Sequence, residues 1–150
     1  MKAIKMNIVN KSFLKSTVAV ALIQAAAIAQ AQIAVIVNPK NPAAEMTADQ
    51  VSGIFLGKSS TLPSGATAAP ADLPDGSPVR DKFYSTVTGK QAPQVKAAWS
   101  RLVFSGKATP PKELGSEADV KKFVAANPDA IGYIEKSAVD ASVKIVLSIN

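Results

Sequence analysis

The sequence contains no cysteine and no histidine. Without cysteine it can form neither a disulfide framework nor a lipid-modified N-terminal cysteine. Without histidine it lacks the usual general base and the commonest metal ligand, and most hydrolase constellations fall with them. Aromatic residues make up only 5% of the chain, and no dense lysine and arginine patch interleaved with aromatics offers itself to nucleic acid. Asp72 and Asp75 form an acidic pair, yet no further carboxylates stand nearby to complete an oxygen-ligand metal site. Ser105 lies close to Lys107 but has no supporting base. These absences point to a protein that is not an enzyme and uses no cofactor and no metal.

Long apolar runs are also scarce. Ser16 to Ile28, "STVAVALIQAAAI", is the longest, and it falls short of the roughly 18 residues a membrane span requires. Lys2, Lys5, Lys11 and Lys15 precede it with no acidic residue among them, and Ala29-Gln30-Ala31 follows as a small-x-small pattern. The expectation is a secretory signal peptide over residues 1–31, cleaved after Ala31. One domain, residues 32–150, then remains, exported to the periplasm and not embedded in the membrane. The whole chain has 17 basic and 11 acidic residues. Four of the lysines belong to the leader, so the mature balance is 13 against 11 and the high isoelectric point carries no message about partners.

Within that domain the apolar periodicity alternates between strands and helices. Ile33 to Val37, "IAVIV", suits a strand buried on both faces. Thr47-x-x-Gln50 is a capping box, opening a short helix that buries Ala48, Val51, Ile54 and Phe55 and ends at Gly57. Ser59 to Pro74 reads as a loop with a weak edge strand around Thr67 to Leu73, limited by Pro70. A helix is expected from Ser77 to about Thr88, stopped by Gly89. Another runs from Pro93 to Phe104, with Val95, Ala98, Trp99, Leu102 and Val103 on one stripe and Phe104 also assigned to the core. "KATPPKELG" is a polar loop. Ser116-x-x-Asp119 starts a helix with Val120, Phe123 and Val124 inward, ended by Asn127-Pro128. Ile131 to Ile134 and Val143 to Ser148 are strands, the second alternating Val143, Ile145 and Leu147 against Lys144, Val146 and Ser148. Strands separated by helices imply an α/β layer sandwich.

The stretch "DLPDGSPVRDKFY", Asp72 to Tyr84, carries the chemistry. Asp75-Gly76 is a turn pair, Ser77 an N-cap, and Pro78 suits the first helical position. A helix start with free backbone N–H groups is a ready anion site. Arg80, on the first turn, can add a guanidinium if it points along the axis. Taken alone, it reads as a solvated arginine on the helix surface.

Three tracts, "VIVNPKNPAAEMTADQVSGIFLGK" (Val35 to Lys58), "PDGSPVRDKFY" (Pro74 to Tyr84) and "VKKFVAANPDAIGYI" (Val120 to Ile134), together resemble the phosphate-binding proteins of ABC-type uptake systems. The resemblance implies a single lobe of a type II periplasmic-binding-protein-like fold, with a mixed, mostly parallel sheet flanked by helices. That family normally has two such lobes and holds the oxyanion between them. Its second lobe carries Arg-x-Asp-Gly-Ser-Gly-Thr at a strand-to-helix turn. Asp75, Gly76 and Ser77 match the core of that pattern, whereas Leu73, Pro78 and Val79 replace the arginine, the second glycine and the threonine. "AIGYI" marks the fold and needs no chemical role.

The resemblance therefore implies a periplasmic solute-binding protein of the phosphate ABC transporter type. Phosphate or a similar oxyanion would sit at Asp75, Gly76, Ser77 and Arg80. Its partners would be a transporter permease, or a second lobe or second copy of the chain, and not nucleic acid. Loss of the arginine and threonine positions favours a different class, an interaction module that kept the lobe and lost the ligand.

Overall fold

A computed structural model of the protein describes residues 31–150. The expected leader, Ala31 apart, lies outside those residues. The first strand, β1 (Ile33–Val37), has all five residues buried, as a β-branched run covered on both faces requires. Asn38 ends it and turns its buried amide onto the carbonyls of Val124 and Ala125, each at 2.9 Å, close to the end of a later helix.

Helix α1 (Ala48–Phe55) opens on the complete Thr47/Gln50 capping box and buries Val51, Ile54 and Phe55. Ala48 is exposed, contrary to expectation, because it lies on the solvent side of the first turn. Gly57 follows the helix at φ +74°, and a Cβ there would stand 2.6 Å from Leu102 and 2.9 Å from Trp99. Its conformation and its crowding both require glycine.

Strand β2 (Ala69–Asp72) leads to α2 (Pro78–Val87) and α3 (Ala92–Phe104). The two-residue β3 (Lys112–Glu113) lies inside the stretch expected to be only a loop. Helix α4 (Glu117–Ala126) begins at the N-cap Ser116. Strand β4 (Ala130–Glu135), a short 3-10 turn and β5 (Lys144–Ile149) complete the order.

The sheet runs β3-β2-β4-β1-β5. Strand β2 is parallel to both β3 and β4, whereas β1 is antiparallel to β4 and to β5. Four of the five strands therefore point one way, and the fold is the mixed, mostly parallel α/β sheet that was expected. Strand β2 is not the edge, however, since β3 covers it. Pro70 is tolerated because the Ala69 N–H bonds toward β4, to Asp129, so the next nitrogen points away from β4, and β3 pairs only with Ala71 and Asp72.

The two faces of the sheet are packed differently. Gly132 faces α4 so closely that a Cβ would meet Val120 at 2.6 Å. Tyr133 faces the other way, stacking on Phe83 of α2 at 3.9 Å and meeting Phe55 of α1 edge-on. Helix α3 packs outside these two, its Trp99 indole donating to the Phe55 carbonyl at 2.8 Å. In β5 the expected alternation fails, since Val146 is buried. Val35 pairs with Leu147 and Ile36 with Ile145, so Val146 is an extra residue in a bulge, which re-aims its side chain inward.

Candidate functional site

Asp72 ends β2, and the β2–β4 register of Ala69 on Ala130 brings it level with Tyr133. Its carboxylate is buried and heavily bonded. Tyr84 Oη donates to Oδ2 at 2.6 Å, and the Tyr133 hydroxyl and the Leu73 N–H both donate to Oδ1. Burial first, then the neighbouring Asp72 charge, pushes both phenols far above their ordinary pKa. Tyr133 is thus more than a fold marker.

The chain then makes a β-turn from Pro74 to Ser77, closed by the Ser77 N–H on the Pro74 carbonyl at 3.2 Å. Gly76 occupies the third position at φ +86°, the geometry a type II turn demands. Ser77 caps α2 as expected, its Oγ accepting from the Arg80 N–H at 3.3 Å. Pro78 takes the first helical position, where a missing N–H is harmless.

Arg80 departs from its plainer reading. It is 8% exposed and not a solvated surface residue. Arg80 and Tyr84 are four apart and share a helix face, with the guanidinium carbon 4.9 Å from the Tyr84 ring centre. Nε lies 3.4 Å from Asp72 and Nη1 3.0 Å from Asp75, so one cation stands between two carboxylates. Neither nitrogen has the alignment of a hydrogen bond. Burial alone would lower the arginine pKa, but the Asp72 and other nearby negative partners more than offset it and hold the group charged.

These side chains form the polar end of a cleft of about 480 Å³ beside the C-terminal ends of β2 and β3. In open α/β sheets ligands bind outside the carboxyl ends of strands. Asp75 and Arg80 line the cleft directly, while Gly76 and Ser77 continue the turn from Asp75 and are not among its lining residues. Trp99 and Val95 form part of an apolar wall. Phe104, expected in the core, stands 96% exposed at its rim because, nine residues after Val95, it falls on the opposite face of α3. Among the described residues, no group of three or more acidic side chains is placed to hold a metal ion.

No protein-family model matches the sequence, and no curated protein matches it either. Solved structures do. A phosphate ABC transporter substrate-binding protein from Clostridium perfringens, solved with bound phosphate, superposes over 77% of this chain with a TM-score of 0.63 and 29% identity. An ABC-type phosphate transport receptor from Vibrio cholerae covers the same share, with a TM-score of 0.61 and 25% identity.

The chain has the fold of the phosphate ABC transporter substrate-binding proteins. The PstS protein of Borrelia burgdorferi, at 15% identity and a TM-score of 0.57, shares that fold alone. This chain spans 45%, 46% and 47% of these three structures, less than half of each receptor. The motif Asp75-Gly76-Ser77 lies at the strand-to-helix turn of this receptor-like lobe. Sequence reasoning missed Asp72, Tyr84 and Tyr133 as parts of the same site. One signal was available: Arg80 and Tyr84 flank the apolar positions Phe83 and Val87 on α2, so a half-turn of that helix joins the buried side.

Among the described residues, no helix is long and apolar enough to cross a membrane.

Proposed function

We propose that this chain is a periplasmic, single-lobe solute-binding domain of the phosphate-uptake type, and that it binds rather than transforms its ligand. Hydrogen phosphate or a similar oxyanion sits at the lip of the cleft. Ser77 Oγ–H and the Val79 N–H at the start of α2 serve as donors, and Arg80 supplies the charge. The observation that carries this reading is Arg80: a buried guanidinium, facing the cleft, with two nitrogens not committed to aligned hydrogen bonds. A buried cation near its carboxylate partners but poorly aligned with them can turn toward a better acceptor at little cost.

Asp75 gives the site its selectivity. Its side chain is largely exposed beside Arg80, so it can accept the proton of a singly protonated phosphate and would repel an oxyanion that carries none. Sulfate should therefore bind less well. Because the chain spans less than half of the receptors it matches, the open side of the site needs a second surface. Another lobe, a second copy or a transporter permease fills that role in the periplasm.

A second reading, an interaction module without a ligand, draws support from the 96% exposure of Phe104 and from the two carboxylates already beside Arg80. Calorimetric titration decides between them. Phosphate should give saturable heat in the wild type, less heat should follow from sulfate, and Arg80→Met should abolish both. Identical traces for phosphate, sulfate and buffer would remove the solute-binding reading and leave the module.

A further inference from the structure

The charge and shape of the whole cleft say more about the ligand than its anion end does. Bound at Arg80, a phosphate group occupies one end of the cleft and leaves the remainder open. That remainder is walled by Val95, Trp99 and Val103 on α3 and by Pro110 and Pro111 just before β3, with the exposed Phe104 ring at the rim. Its volume of about 480 Å³ falls within the range of sites for small organic molecules.

The charges are unequal. Asp72, Asp75 and Glu113 line the cleft against Arg80 and Lys96, a formal balance of −1. A free phosphate dianion makes that balance more negative. A singly protonated phosphate ester carrying a fixed cation is neutral overall and does not. It still offers a proton to Asp75, and the substituent meets what a bulky ammonium prefers: a carboxylate, an aromatic ring and apolar walls.

We propose that the cleft takes a small phosphate ester bearing an alkylated ammonium group, with the phosphate at Arg80 and the cation along the Phe104 and Glu113 side. This rests on the oxyanion reading of Arg80 and deepens it. The ligand class is a free zwitterionic phosphomonoester, not inorganic phosphate.

The test compares phosphocholine, propyl phosphate, inorganic phosphate and choline by calorimetry on the same protein at about pH 5, below the ester's second pKa of about 6, so that each phosphate keeps a proton for Asp75. Phosphocholine should bind at least tenfold more tightly than inorganic phosphate and more tightly than propyl phosphate, which lacks the cation. Phe104→Ser and Glu113→Gln, both at exposed positions, should each weaken phosphocholine severalfold and leave inorganic phosphate unchanged. Phosphocholine binding no tighter than inorganic phosphate would overturn this inference while leaving the oxyanion site standing. Absence of binding by every phosphate would bring both down. Choline binding as tightly as phosphocholine would make the cleft a cation site and contradict the proposal. So would co-sedimentation with phosphatidylcholine vesicles, which would assign the chemistry to a lipid headgroup. A dimer in sedimentation that Phe104→Ser dissolves would assign the ring to a contact between copies, again against the proposal.

Discussion

Tyr84 on α2 and Tyr133 on β4 donate their hydroxyls to the two oxygens of one buried carboxylate, Asp72. They are the only two tyrosines in the sequence. In the folded protein both hold their protons more tightly than a phenol in the unfolded chain, whose pKa is about 10. Their contribution to stability is therefore complete below that pH and is withdrawn as pH rises above it. Phenolate absorbance should stay absent from the native protein near pH 11 and should appear only together with unfolding followed by circular dichroism. A phenolate signal growing in near pH 10 while the fold persists would show that the tyrosines are not held as described.

Removing Asp72 should be more damaging than removing its partners singly. Tyr133→Phe deletes one hydrogen bond to a charged group, a loss of about 1.5–3 kcal/mol. Asp72→Ala leaves Arg80 buried beside the lone Asp75, and stripping one member of a buried pair costs about 3–5 kcal/mol. Combining Asp72→Ala with Arg80→Met should recover part of that loss. Urea denaturation of the four proteins checks the order, and a double variant no better than Asp72→Ala would mean that the pair is not coupled.

Gly132 lies where α4 touches the sheet. Gly132→Ala puts a methyl group 2.6 Å from Val120, and overpacking of this kind costs about 1–3 kcal/mol. Thermal melting should show the loss. Gly132→Ala combined with Val120→Ala should be less destabilised than the sum of the two single changes, because the second removes the atom that clashes.

Much of this architecture was legible in the sequence because it is local. Thr47, Ser77 and Ser116 signal helix starts through contacts three residues away, and "IAVIV" reports burial on both faces by its composition. Strand β3 was invisible because two residues carry no periodicity. The inward turn of Val146 depends on a bulge against β1, which its own neighbours in sequence do not signal. The exposure of Phe104 was readable, since nine residues after Val95 it lies on the far face of α3. The turn at Asp75-Gly76-Ser77 was readable for the same local reason as the caps. The carboxylate and tyrosines behind it were not, since Asp72 and Tyr133 lie 61 positions apart and meet only through the pairing of β2 with β4.

Three charge-assisted hydrogen bonds to an anion at α2 amount to about 4–9 kcal/mol before the cost of immobilising the ligand. A site open to water on one side should then bind inorganic phosphate at roughly the millimolar level, which corresponds to about 4 kcal/mol. Affinity that weak is best read residue by residue. In a phosphate titration followed by amide nitrogen–proton spectra, the account predicts progressive shifts at the amides of Gly76, Ser77 and Val79 and at Arg80 Nε, saturating in the millimolar range, with the starts of α1 and α4 unmoved. Shifts confined to other helix starts, or no shifts around Ser77 and Arg80 at saturating phosphate, would contradict it.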